Sequence, residues 1–142
     1  MGFETSVSFN LLDFHDSVIS DIDVVDDQIM IGLEFANILP EHEANPYATA
    51  KSIGPCVLVF IGVAYSIPKV FNDAAKEYEV HPDQRCPLAH DIVEADEIEP
   101  QNSKLRFLLC GMHKSGWTNW YIDCEGFKLT WEAFGKDSWY AN

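Results

Sequence analysis

The sequence predicts a mainly β (α+β) fold, an antiparallel sheet or sandwich of about six to seven strands with one short helix. Three observations lead there. Apolar residues alternate with acids at period two over residues 17–36. A short apolar run, CVLVFIGVAY from Cys56 to Tyr65, is bounded by turn formers. Strand-like segments then follow one another between residues 104 and 134. A chain of 142 residues, 47% hydrophobic and 23% charged, fits one domain spanning 1–142 that holds a core without staples.

Within residues 17–36, Val18, Ile22 and Val24 share one parity and Ile29, Ile31, Leu33 and Phe35 another, as in a half-buried hairpin turning at Asp26-Asp27-Gln28. Met30 and Glu34 then face away from Ile29, Ile31, Leu33 and Phe35. Residues 37–55 contain Pro40, Pro46, Gly54 and Pro55 and read as a long surface connection, the kind of loop that often carries function. The run CVLVFIGVAYSI (56–67) is apolar on both faces and predicts a central strand covered on both sides. From Ser66 onward, Val70, Phe71, Ala74, Ala75 and Tyr78 recur at helical spacing behind Pro68, so the short helix is expected at 68–78 with Ser66 as its cap. Residues 80–90 form a Pro-broken loop, and 91–99 an edge strand kept monomeric by its acids. Segments 104–112, 117–124 and 127–134, joined by His113-Lys114-Ser115-Gly116 and Glu125-Gly126, predict a closing meander.

The formal net charge is -14, and the first 50 residues hold ten acids with no Lys or Arg. Such a field repels nucleic acid and anionic membrane, and it speeds encounters with basic partners. Asp21, Asp23 and Glu34 fall on outward positions of the hairpin and are expected to form one solvated face, which either meets a basic partner or serves solubility alone. The opening MGFETSVSFN has neither the basic nor the apolar region of a secretory signal, so the four cysteines, Cys56, Cys86, Cys110 and Cys124, are read as free thiols of a cytoplasmic protein. The apolar run from Cys56 is well short of the ~20 residues that span a bilayer. Acids behind Gly2 argue against anchoring through a myristoyl chain.

Chemistry-bearing clusters are few. His81, Cys86, His90, Cys110 and His113 supply a Cys-x3-His and a Cys-x2-His, soft ligands at spacings that zinc uses. Cys110 and His113 differ by three along a strand, which turns them to opposite faces, and the protein is expected to hold no zinc. Cys86 beside His81 or His90 is the candidate thiol nucleophile, without a family signature around it. His15-Asp16 is a candidate imidazole–carboxylate couple that a strand would point apart. Acid pairs are too plentiful to be informative, no Gly-rich phosphate loop occurs, and no cofactor is implied. Trp117, Trp120, Tyr121, Phe127, Trp131 and Phe134 give rings to both sheet faces, one for the core and one that is either covered or a binding platform. Trp139 and Tyr140 are the candidate exposed anchors.

The stretch Phe14-His15-Asp16-Ser17-Val18-Ile19, with the hairpin after it and Cys56-Val57-Leu58-Val59-Phe60-Ile61-Gly62-Val63, resembles small uncharacterised bacterial proteins that open on Leu-His-Asp-Ser/Ala-x-Ile. Phe14 stands where those have Leu, and the likeness covers about a third of the chain. Some of them are immunity proteins of polymorphic toxin systems. The resemblance implies a non-enzymatic acidic binding protein, an immunity-type inhibitor of a basic toxin domain. The alternatives are a β domain binding a small ligand in a cleft and, further off, a zinc- or thiol-dependent enzyme.

Overall fold

The computed structural model of the chain describes residues 2–101 and 104–140. Its strands are β1 (Phe3–Thr5), β2 (Leu12–Asp13), β3 (Ser17–Val25), β4 (Gln28–Leu33), β5 (Asn37–Ile38), β6 (Lys51–Ser52), β7 (Cys56–Ile61), β8 (Tyr65–Asn72), β9 (Glu77–Val80), β10 (Asp91–Ile92), β11 (Glu94–Ile98), β12 (Leu105–His113), β13 (Gly116–Cys124) and β14 (Gly126–Trp131), with a single 3-10 turn at Phe9–Leu11. They form a six-stranded sheet, β1-β14-β7-β4-β3-β10, a five-stranded sheet, β11-β12-β13-β8-β9, and a three-stranded one, β2-β5-β6. Every pairing is antiparallel. No helix among the described residues is long and apolar enough to cross a membrane.

The two larger sheets pack face to face through rings. Phe60 of β7 lies 5.0 Å from Phe107 of β12, and Phe127 of β14 lies 5.7 Å from Phe107. Phe9, from the 3-10 turn, fills the middle, 4.7 Å from Phe107 and 5.0 Å from Phe127. A ring delivered from outside the strands thus joins two inner faces whose own residues alternate inward and outward.

The expected hairpin is β3–β4, turning at Asp26, whose φ is 54°. Ile29, Ile31 and Leu33 are buried and Glu34 exposed; Phe35 lies beyond the end of β4 and is half-buried. The parity of β3 needs correction. A register shift between Ile19 and Asp21 turns Ile19, not Val18, toward the core along with Ile22 and Val24. A bulge adds one residue and reverses the faces on one side of it, which strict alternation cannot anticipate.

The expected helix at 68–78 is a β hairpin. Strand β8 alternates Ile67, Lys69 and Phe71 with Pro68 and Val70, and pairs with β13 on one side and β9 on the other. Ala74 and Ala75, which completed the helical spacing, are exposed in the turn. Asn72 fixes that turn by accepting from the Ala75 amide (3.1 Å) and donating to Glu79 Oε1 (2.9 Å). Pairing with a neighbouring strand overrides a local spacing this short.

The single strand expected over 56–67 bends, and the expected meander is broken, at one corner. Gly62, at φ 65°, ends β7, and the chain re-enters the other sheet as β8. Alongside, β13 passes through Glu125 into β14, which pairs with β7 instead of β13. Strands β7–β8 and β13–β14 are therefore two long paired ribbons that change sheet together, with the Glu125 N–H donating to the Ile61 carbonyl at 3.0 Å. A side chain at Gly62 would meet Glu125, and its positive φ favours glycine.

Residues 91–99 do supply an edge, split at Val93 into β10 on the six-stranded sheet and β11 on the five-stranded one. Residues 37–55 are not wholly on the surface. They contribute Ile38, Ile53 and the buried His42, whose Nδ1 accepts from the Ala44 amide while Nε2 donates to the Val7 carbonyl (both 2.9 Å).

Candidate binding surfaces

Outward positions of the six-stranded sheet gather the acids expected there. Asp21 and Asp23 of β3 are exposed, and Asp21 lies across Gly32, where a side chain on the neighbouring strand would displace it. Glu34 is exposed just past β4, its N–H donating to the Val18 carbonyl at 2.9 Å. Glu4, Asp21 and Glu132 border a shallow depression of about 490 Å³ over Gly32 and Val57. Among the described residues that line it, none is basic.

The two C-terminal aromatics have different surroundings. Trp139 is 79% exposed, edge-on to Tyr140 at 5.4 Å. The Tyr140 hydroxyl donates to Asp13 Oδ2 at 2.7 Å; burial first, and that bond second, push its pKa up to about 12. Tyr140 thus ties the C-terminal segment to β2, and only Trp139 stands free as an anchor.

The histidines and cysteines do not converge. His81 and His113 lie with ring centroids 4.3 Å apart, whereas Cys110 is on the opposite face, its thiol donating to Asn119 Oδ1 at 3.2 Å. Cys86 and His90 are exposed. Among the described residues, no group of three His, Cys, Asp or Glu side chains is placed to hold a metal ion. His81 Nδ1 accepts from the Asp83 amide (2.9 Å) and His113 Nδ1 from the Ser115 amide (3.1 Å). Each ring therefore carries its proton on Nε2 when neutral, and metal ligation there would cost a backbone hydrogen bond. Burial, then the neighbouring His113, hold His81 below the usual histidine range. Burial pushes the Cys56 thiol up to about 12, and those of Cys110 and Cys124 to about 11, far from a reactive thiolate.

His15 and Asp16 do meet, at 3.3 Å, because they occupy a turn with Asp16 at φ 60°, where strand alternation does not apply. The Val93 carbonyl, bonded to His15 Nδ1 at 2.7 Å, is the main cause that raises the His15 pKa, and Asp16 adds to it. Asp13 bonds the local backbone, accepting from the His15 amide at 2.9 Å.

An apolar surface on the second sheet was only half legible in the sequence. On the outward side of the five-stranded sheet, register aligns Leu108, Tyr121 and Ile67 across three strands, and Phe71 with Tyr78 across the next pair. Met112, Tyr65, Tyr78 and Val80 are exposed there, and Ile67, Phe71, Leu108, Trp117 and Tyr121 half-buried. Asp123, itself buried, binds Arg106 in a bidentate pair of 2.6 and 3.0 Å, and the guanidinium lies 5.4 Å from the Tyr121 ring centroid. A depression of about 610 Å³ on this side is lined by Ile67, Lys69, Ile98, Arg106 and Tyr121, among others. Alternation within 117–124 already separated Trp117 and Tyr121 from Trp120 and Ile122; reading 68–78 as helix hid the contribution of β8.

Comparison with known proteins adds no relative. No protein-family model, curated protein or solved structure matches the chain.

Proposed function

We propose that the chain is a non-enzymatic acidic binding protein of the cytoplasm, an immunity-type inhibitor that docks a basic toxin domain. The observation that carries this reading is the solvent-facing side of the five-stranded sheet, where Ile67, Phe71, Trp117 and Tyr121 lie half-buried beside the exposed Met112, Tyr65, Tyr78 and Val80. Exposed apolar and aromatic residues gathered on one sheet face mark interaction sites, here in two rows separated by the polar pair Asn119 and Lys69, and aromatic residues supply most of the affinity at interfaces. The net charge of -14, with Asp21, Asp23 and Glu34 on the other outer face, supports steering of a basic partner. The resemblance of the Phe14–Ile19 stretch to immunity proteins points to a toxin domain as that partner.

The test is co-expression with each basic toxin domain that the genes neighbouring this one encode, together with titration of the purified pair. Protection of the cells and a complex weakened by Tyr121→Ser support the reading. Absence of binding, or binding indifferent to Tyr121→Ser and to charge reversal at Asp21, Asp23 and Glu34, contradicts it.

A second reading has one observation in its favour. Lys69 and Arg106 share the depression with Ile67 and Tyr121, the mixture of apolar wall and few polar groups that small ligands use. A small anionic aromatic compound that saturates the chain, quenches its tryptophan fluorescence and is lost in Lys69→Ala would favour it.

A further inference from the structure

We infer that β9 is an open docking edge, which takes up an extended segment of alternating basic and apolar residues from a partner protein as a sixth strand of the five-stranded sheet. In an antiparallel pair, every second residue bonds its neighbour and the ones between point their N–H and C=O the other way. The His81 N–H donates to the Pro68 carbonyl at 2.9 Å, in the register that pairs Glu79 with Val70 and Glu77 with Asn72. Glu77 and Glu79 are thus the residues bonded to β8, and the N–H and C=O groups of Tyr78 and Val80 face outward. Among the described residues no group pairs with them.

The opposite edge of the same sheet is covered at two points. By the same alternation Glu97 of β11 faces outward, and the Asn10 side chain stands in for a strand. Asn10 Oδ1 accepts from the Glu97 amide at 2.8 Å, and Nδ2 donates to the Glu97 carbonyl at 3.2 Å. His15 likewise bonds the Val93 carbonyl just before β11. Edge strands are ordinarily blunted by such cover or by charge, and on β9 only the charge of Glu77 and Glu79 guards the edge, which leaves it a template for a strand of opposite charge.

Charge says what pairs there. A second copy in register with Tyr78 opposite Tyr78 would set Glu77 against Glu79, and Tyr78 opposite Val80 would set Glu79 against itself, between chains of -14 each. A strand with basic residues beside Glu77 and Glu79 meets no such repulsion. Its alternate residues then fall beside Tyr78 and Val80 and extend the apolar face through Phe71, whose ring lies 5.2 Å from that of Tyr78. This deepens the proposed function and rests on it for the partner being a basic protein.

The experiment uses the full chain and two capped synthetic peptides, one alternating Lys with Val and one alternating Glu with Val, read by amide chemical shifts and hydrogen exchange. The Lys peptide is expected to shift the Tyr78 and Val80 amides and slow their exchange, with the Glu peptide inert. Val80→Pro, which removes an outward N–H but no bond to β8, is expected to weaken binding about tenfold with an unchanged melt. Glu77→Lys with Glu79→Lys should exchange the preference for the two peptides, and serves as the test if the proline variant does not fold. Unchanged amides at saturating peptide, or wild-type binding by Val80→Pro, overturns the inference. A toxin-domain complex that leaves the Tyr78 and Val80 amides unprotected refutes this edge and spares the proposed function. Peptide uptake at β9 by a chain that binds no toxin domain does the reverse.

Discussion

The two outer faces of the sandwich are built on the same alternation and end in different chemistry. On the six-stranded sheet the outward acids Asp21 and Asp23 lie exposed, and no described cation pairs with either. On the five-stranded sheet Glu94 and Asp96 are outward and exposed along the β11 edge, whereas Asp123 on the central strand is buried, clamped by Arg106 and flanked by Tyr121. The first face projects charge into solvent, which acts at a distance; the second offers area and rings, which act on contact. Under the proposed function, rate and affinity for a partner fall to separate sides of one small protein.

Four measurements would sharpen or break that division. The largest effect belongs to the buried ion pair: Asp123→Ala leaves Arg106 without its carboxylate in a half-buried site and is expected to destabilise the fold by about 3 kcal/mol in urea unfolding. An effect below about 1 kcal/mol would mean that Arg106 is as well solvated as a rim charge. Next, Phe71→Ser with Tyr121→Ser should reduce partner affinity about 100-fold, chiefly through faster dissociation in surface plasmon resonance. The Lys variant of Asp21, Asp23 and Glu34 should slow association about tenfold at low salt and leave dissociation unchanged. Its stability should stay within about 0.5 kcal/mol per site of the parent, as exposed changes usually do. If the two variants exchange roles, the division is wrong.

The smallest effect concerns the His81–His113 pair beside β9. Because the folded pKa of His81 lies below its unfolded value near 6.5, the unfolded chain binds the extra proton. The stability contributed by the neutral ring is therefore complete above that pH and falls as pH drops through 6.5 toward the folded value. A His81→Phe variant should show a shallower loss of stability between pH 7.5 and 5 than wild type, in denaturant melts at matched ionic strength. Parallel curves would mean that His81 is not titrating there.

Much of the fold was legible because a sheet with one buried face leaves a period of two in its strands. The β3–β4 hairpin and the edge strand at 94–98 follow directly from it. What failed did so where tertiary partners decide. The bulge at Ile19–Asp21 is imposed by pairing with β4, the strand character of 65–72 by pairing with β13, and the sheet change at Gly62 and Glu125 by two ribbons bending together. Nothing within a local window reports these. The same holds for the surfaces. The outward positions of Asp21 and Asp23 could be read from alternation. The tie of Tyr140 to Asp13 spans 127 residues of sequence and left no local sign. The aromatic face was visible in β13 alone, since its second contributor had been assigned the wrong period.

The measurement that bears most directly on the account is hydrogen exchange of the chain alone and bound to the basic partner domain that co-expression identifies. Docking on the aromatic face predicts slowed exchange in β8, β9 and β13, with the amides of β3 and β4 unaltered. Protection confined to β3 and β4, leaving β8, β9 and β13 unchanged, would contradict it and make the acidic face itself the site of contact.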